Sequence, residues 1–157
     1  ETISDLIPVA GERRFGAEHE FFTEEGTMKY TPFTQFYGLN FKEKIPVDIN
    51  LKYAAVENGN FDVTVVYTTD GLNRKANLKV LEDDQNFFPE YNGALLVREG
   101  LYDELADAAP NLKDVLNSLS GTLTNEKMTD LTYAVDVEGR TVEEVAREFL
   151  TESGLIG

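Results

Sequence analysis

The residues best suited to bind a small molecule follow one apolar stretch of the sequence. Residues 61–66 are apolar at nearly every position, which predicts a buried strand at the centre of a sheet covered on both faces. Tyr67, Thr68, Thr69 and Asp70 come directly after it. Because ligands of open α/β sheets bind at the carboxyl ends of strands, we expect these four residues to line a binding site. The alternative interpretation is a polar turn with Tyr67 at its rim.

A second tyrosine suits the same chemistry. Tyr91 lies in an aromatic segment shaped by Pro89, just before a predicted strand over residues 93–98. The face of a tyrosine ring attracts alkylated ammonium groups through its quadrupole, by about 0.5 to 2 kcal/mol. A cage around such a cation needs several rings, so Tyr67 and Tyr91 would supply only part of one.

Other polar clusters are weaker candidates. Glu18, His19 and Glu20 are three potential metal ligands in a row, but adjacent strand residues point to opposite faces and the sequence has a single histidine, which favours a solvated loop. A hydrolase or transferase would have to use His19 or the acid pairs 24–25 and 83–84, and no Gly-x-Ser-x-Gly elbow supports one. The sequence also lacks a P-loop and a dinucleotide-binding glycine pattern, so it predicts no cofactor.

Composition and charge restrict the class of partner. The 157 residues suffice for one domain, and 29 acidic against 14 basic residues give a net charge of -15. This charge repels nucleic acid and anionic lipid and mildly favours a cationic small ligand.

The absence of cysteine excludes disulfides and thiolate metal sites. No apolar run approaches the ~20 residues that span a bilayer. No signal peptide is visible and Glu1 is not an initiator methionine, so we expect a chain processed or cut from a longer one.

The elements that would position these residues alternate between strands and helices, which predicts an α/β fold with a largely parallel sheet. Besides residues 61–66, strands are predicted over residues 14–17, 44–48, 78–83 and 93–98. Helices are predicted over residues 5–10, 32–37 and 51–57, the last capped by Asn50 with Leu51, Ala54 and Ala55 on its apolar face. From Leu101 onward only helices are predicted, with a stripe over residues 112–119 and helix starts at Thr124 and Thr141.

Short motifs spread over nearly the whole chain match one known family. They include Tyr37-Gly38-Leu39, Leu51-Lys52-Tyr53-Ala54, Asp62-Val63, Tyr67-Thr68-Thr69-Asp70-Gly71, Phe87-Phe88-Pro89 and Val97-Arg98-Glu99. Each is weak alone, but together they resemble the substrate-binding proteins of ABC transporters for quaternary ammonium compounds such as glycine betaine and choline.

The resemblance implies a type II periplasmic-binding-protein fold, in which two α/β lobes close on the ligand at a hinge. Residues 1–99 would form the second lobe, and residues 100–157 a helical segment that returns to the first lobe, whose sheet is absent. Tyr67 and Tyr91 match two of the cage tyrosines of the family, and further cage residues would come from the missing lobe.

The same resemblance implies solute binding without catalysis, a permease subunit as partner, and a place outside the cytoplasm, as a surface lipoprotein, a periplasmic protein or a domain fused to a permease. A ligand-free sensor or interaction module with the same fold is an alternative. The helices after Gly100 would expose the apolar face that normally packs on the missing sheet, which would allow a homodimer through them.

One position departs from the family pattern and concerns the ligand. The family often carries an arginine in the loop after the Glu-Phe-Phe pattern, where it clamps a ligand carboxylate. Glu24 stands at that place here. Because an acid cannot pair with the carboxylate of a betaine, the sequence favours a choline-like cation as the ligand.

Overall fold

The computed structural model describes residues 1–23 and 25–157, which divide into two units, Glu1–Pro89 and Glu90–Gly157. The first unit holds the sheet and the second, among the described residues, holds helices. The proposed division of the family's lobes at residues 99 and 100 stays a prediction.

Three parallel strands form the sheet of the first unit. They are β1 (Arg14–Ala17), β2 (Glu43–Pro46) and β3 (Val63–Thr64), in the order β2-β1-β3. Phe15 of β1 pairs with Lys44 on one side and with Val63 on the other. The prediction of a parallel sheet is therefore confirmed, and so is the edge position of the strand around Lys44.

The prediction that residues 61–66 form the central strand is wrong. The central strand is β1, in which Phe15, Gly16 and Ala17 are all buried. β3 is only two residues long, and the carbonyl of Val65 beyond it accepts a hydrogen bond from a lysine side chain. The chain therefore leaves the ladder before the predicted strand is complete.

Among the described residues, three α-helices and three short 3₁₀ turns complete the first unit. The helices are α1 (Tyr30–Tyr37), α2 (Lys52–Glu57) and α3 (Leu72–Lys75). The turns are Ser4–Leu6, Ala10–Glu12 and His19–Phe22. As predicted, α1 has a proline in its first turn and ends at Gly38, whose φ of 70° is readily adopted only by glycine.

Four local predictions in this unit fail. Residues 5–10 form 3₁₀ turns in place of a helix, and α3 occupies a segment predicted to be a link. In α2 the buried residues are Lys52 and Ala55, whereas Leu51 is exposed. Residues 78–83 form no strand beyond a single bridge between Thr2 and Glu82, and the Asp83 side chain accepts hydrogen bonds from the amides of Phe87 and Phe88.

The core of the first unit is aromatic and surrounds β1. Phe15 is buried, and its ring lies 4.9 to 6.2 Å, centroid to centroid, from five other rings. These are Phe21, Phe22, Tyr30, Phe33 and Phe41. Such pairs add to the free energy gained by burying apolar area. This packing fixes the position of β1, and with it the position of the carboxyl end of the strand.

The second unit contains α4 (Leu101–Glu104), α5 (Leu112–Asn117), α6 (Asn125–Asp136) and α7 (Val142–Glu152). The predicted helix starts are confirmed: the Thr124 side chain caps α6, and Thr141 forms a capping box with Glu144. α7 buries Val145 and Phe149. None of the helices among the described residues is long and apolar enough to cross a membrane.

The predicted strand over residues 93–98 is not formed. Leu95 and Leu96 are exposed, and no described segment pairs with this stretch. A strand needs a neighbour to accept and donate its backbone hydrogen bonds, so local strand propensity alone does not produce one here.

Candidate functional site

The candidate site lies where the carboxyl ends of the three parallel strands meet at one edge of the sheet. Glu18 follows β1, Val47 follows β2, and the segment carrying Tyr67 follows β3. The Val47 amide donates to the Ala17 carbonyl at 2.9 Å, which keeps the first two strand ends together. This is the edge at which open α/β sheets bind ligands.

A buried lysine joins the ends of β1 and β3 at this edge. The Nζ of Lys52, in the first turn of α2, donates to Glu18 Oε1 at 2.6 Å and to the Val65 carbonyl at 3.1 Å. Lys52 is only 5% exposed. Its charge is compensated by Glu18, as a buried ion requires.

Sequence reasoning missed the role of Lys52. It shares the buried face of α2 with Ala55, three residues later. The sequence did contain a signal for this role. Lys52 lies three residues before Ala55, which was predicted on the apolar face, so the two side chains share one side of the helix.

A second set of hydrogen bonds holds the segment after β3. The Tyr53 hydroxyl donates to Asp70 Oδ2 at 2.5 Å and reaches Asn73 Oδ1 at 3.1 Å. The other carboxylate oxygen of Asp70 accepts from the Leu72 amide at 2.9 Å. The Asn73 side chain donates to the Tyr67 carbonyl at 2.7 Å. Asp70, predicted as part of the pocket wall, therefore also fixes the loop that contains it.

The predicted site residues are not equally accessible. Tyr67 is 63% exposed, and Thr68 is also exposed, whereas Thr69 and Asp70 are partly buried. Tyr91 belongs to the second unit and is 82% exposed. Glu24 lies outside the described residues.

An open concavity of about 550 Å³ lies beside the ends of β1 and β2. It is lined by Glu18, His19, Glu20, Pro46, Val47, Asp48 and Ile49. Its charged groups are acidic, which suits a cation better than an anion. Among the described residues, no three histidine, aspartate or glutamate side chains are arranged to hold a metal ion, and Glu18 is paired with Lys52.

The acid pair at residues 83–84 has a structural role. Asp83 accepts hydrogen bonds from the Tyr37 hydroxyl and from the amides of Phe87 and Phe88, the last two at 3.0 and 2.7 Å. Burial and then the contact with Asp83 raise the pKa of Tyr37 to about 12. Asp84 accepts from the Ser4 amide at 3.1 Å. Both carboxylates are thus used to hold backbone, which does not favour the hydrolase hypothesis.

Comparison with known proteins places this geometry in a family. A model of the substrate-binding domain of ABC-type glycine betaine transport systems matches residues 1–152. The carnitine transport binding protein OpuCC of Listeria monocytogenes is 36% identical over 152 residues, which are 97% of this chain and 48% of that protein. The ergothioneine transport permease/ergothioneine binding protein EgtU of Helicobacter pylori is 34% identical over 155 residues, or 99% of this chain and 27% of that protein.

Solved structures agree with the sequence matches. The crystal structure of a glycine betaine/carnitine/choline ABC transporter superposes with a TM-score of 0.80 at 33% identity, over 99% of this chain and 55% of that one. Ligand-free YehZ of Escherichia coli superposes with a TM-score of 0.70 at 23% identity, over 99% of this chain and 57% of that one, which shows the fold alone.

These neighbours confirm the predicted α/β fold of the type II binding-protein kind, present here as part of the two-lobed architecture. The chain spans about half the length of most of the relatives described, and about a quarter of the permease fusion. With residues 1–152 matched, this chain belongs to the family of substrate-binding domains of ABC-type glycine betaine transport systems.

Proposed function

We propose that this chain forms one wall of the ligand site in a two-lobed solute-binding protein of an ABC importer for quaternary ammonium compounds. The observation that carries the proposal is Tyr67: an exposed aromatic ring on a hydrogen-bonded segment at the carboxyl edge of a parallel sheet. Ligand binding at that edge is the general rule for such sheets. The names of the relatives, which refer to carnitine, glycine betaine and ergothioneine, support a ligand of this class.

The ligand would be recognised chiefly through its cationic head. The ring of Tyr67 would offer its negative face to the alkylated ammonium group, with Thr68, Thr69 and Asp70 shaping the wall around it. The carboxylate of Asp70 and the net charge of -15 add attraction for a cation. Tyr91 would contribute a second ring face, which is proposed from the family resemblance alone.

Ligand preference is proposed to depend on Glu24. Where family members carry an arginine that clamps a carboxylate, an acid would repel it, so choline-like cations should bind better than glycine betaine. Glu24→Arg should then shift preference toward betaine, because a guanidinium pairs bidentately with a carboxylate. Tight binding of betaine by the unmodified protein would contradict this preference.

The proposed partner is a permease subunit, and the proposed place of action is outside the cytoplasm, where an importer takes up its solute. A homodimer through the C-terminal helices stays a prediction. It is motivated by the exposure of Val115, Met128 and Val142 on helices of the second unit, and light scattering tests it.

Titration calorimetry of the two-lobed protein with choline, carnitine and glycine betaine tests the function, together with thermal unfolding in their presence. A ligand that binds only the folded state must raise the unfolding temperature. We expect choline-like cations to do so at micromolar concentrations. If none of them binds, the chain would be a sensor or interaction module that kept the fold, and conversion of any of them to product would point to an enzyme.

A further inference from the structure

We infer that Tyr53 and Asn73 are positioning residues for Tyr67, which fix the backbone beneath the ring proposed to meet the cation. The part of this inference that concerns affinity rests on the proposed function. The part that concerns the order of the loop does not.

The first support is the set of partners around the Tyr67 carbonyl. It accepts from the side-chain amide of Asn73 at 2.7 Å and from the Asp70 amide at 3.1 Å. Asn73 is only 5% exposed. A buried amide that donates to a carbonyl is costly to disrupt, because both groups would lose their partner away from water. Asn73 thus restrains the peptide unit next to the Tyr67 side chain.

The second support is the hydroxyl of Tyr53, which lies close to the side chains of both Asp70 and Asn73 in the segment after β3. It lies 2.5 Å from Asp70 Oδ2 and 3.1 Å from Asn73 Oδ1. A hydrogen bond to an ionised group is stronger than one between neutral groups. Burial, and then the neighbouring Asp70, raise the pKa of Tyr53, so the hydroxyl keeps its proton and the network persists at neutral pH.

The third support is the place from which the loop is held. Tyr53 follows Lys52 in α2, and Lys52 donates to the Val65 carbonyl two residues before Tyr67. Two adjacent residues of one helix therefore restrain the segment on both sides of the ring. A ring held in this way loses less conformational freedom on binding, which favours affinity.

Tyr53→Phe tests the inference, since it removes only the hydroxyl, with Tyr102→Phe in α4 as the control for the same chemical change. Amide hydrogen exchange and the ring resonances of Tyr67 are measured by NMR on the whole chain. We expect exchange at Asp70 and Leu72 to accelerate roughly tenfold, with shifted Tyr67 resonances, and neither change in Tyr102→Phe. Asn73→Asp, which replaces the donor with an acceptor, should act in the same direction.

Choline affinity, measured in the two-lobed protein, should fall roughly threefold to tenfold in Tyr53→Phe. In a Tyr67→Ala background the same substitution should have no further effect, because its influence passes through Tyr67. An equal loss in both backgrounds would overturn the positioning role. If the unmodified protein binds no quaternary ammonium compound, the proposed function fails while the exchange data still decide the inference. Unchanged exchange and unchanged Tyr67 resonances in Tyr53→Phe overturn it whatever the ligand result.

Discussion

The ring of Phe61 occupies the space beside Gly16 in the central strand. A Cβ built on Gly16 would lie 2.2 Å from Cδ1 of Phe61, far inside van der Waals contact. Phe61 is 1% exposed and comes just before β3, whose Thr64 pairs with Gly16. The missing side chain of Gly16 therefore lets a large aromatic ring cover the middle of β1.

Gly16→Ala should destabilise the first unit by roughly 1 to 3 kcal/mol, because the added methyl group overpacks a filled core. Urea unfolding compares it with Gly11→Ala, where the new Cβ would meet only the Asn40 carbonyl oxygen, at 3.9 Å. Combining Gly16→Ala with Phe61→Leu should cost less than the sum of the two single changes. Equal stability of the two alanine variants would show that the ring moves aside freely.

The sequence predicted best those elements whose signals are local. Pro32 lies in the first turn of α1 and Gly38 ends it, and the capping box at Thr141 begins α7, since each signal depends on residues within a few positions. The parallel sheet also followed from the alternation of strands and helices. The family was apparent because its motifs extend over the whole chain.

The failures concern contacts between distant positions. β1 has only four residues, and its burial depends on rings contributed by distant residues such as Phe41 and Phe61. A lysine is ordinarily expected to be exposed to solvent. The burial of Lys52 depends on its partner Glu18, which is 34 positions away in the sequence. The strand predicted over residues 93–98 needed a neighbour that local propensity cannot report.

Lys52→Met should lower the free energy of unfolding by about 3 kcal/mol, because it leaves the partly buried Glu18 side chain without its partner. Chemical unfolding checks this, with Arg147→Met as the control. Arg147 pairs with Glu143 on the exposed face of α7, so that change should cost no more than about 0.5 kcal/mol. Adding Glu18→Gln to Lys52→Met should restore part of the loss, and equal effects of the two single variants would contradict the buried pair.

Asp62 should make the stability of the first unit sensitive to acid. Hydrogen bonds from the Arg14 side chain, and then from its amide, hold the pKa of Asp62 below its usual value. The folded state thus binds this proton more weakly than the unfolded state, whose aspartate pKa is about 3.9. The stabilisation is therefore complete above that pH and is lost as the pH falls through the lower, folded pKa.

In Asp62→Asn the free energy of unfolding should fall less steeply as the pH drops below about 4, because the asparagine side chain cannot bind the proton. Urea unfolding at a series of pH values measures this slope. Arg14→Met should reduce the slope in the same way, since it removes the cause of the shifted pKa. If neither substitution alters the dependence of the unfolding free energy on pH, other carboxylates cause the acid sensitivity.

Tyr67→Ala and Tyr91→Ala should each weaken quaternary ammonium binding in the two-lobed protein by roughly 1 to 3 kcal/mol, from lost cation–π attraction and lost aromatic contact. Both side chains are largely exposed in this chain, at 63% and 82%, so neither change should lower stability substantially. Calorimetry and thermal unfolding measure the two quantities. Unchanged affinity in both variants would refute the assignment of these tyrosines to the ligand.

Attraction for the charge of the ligand can be separated from simple apolar contact at Tyr67. Choline is compared with its neutral carbon analogue, dimethylbutanol, which has nearly the same shape. The unmodified protein should prefer choline, and Tyr67→Phe should keep most of that preference because phenylalanine retains the ring face. Tyr67→Leu should retain apolar contact but lose part of the preference, by about 0.5 to 2 kcal/mol in the difference between the two ligands. If Tyr67→Leu and Tyr67→Phe discriminate equally well, the charge would be recognised by carboxylates such as Asp70, and the ring would serve only as an apolar surface.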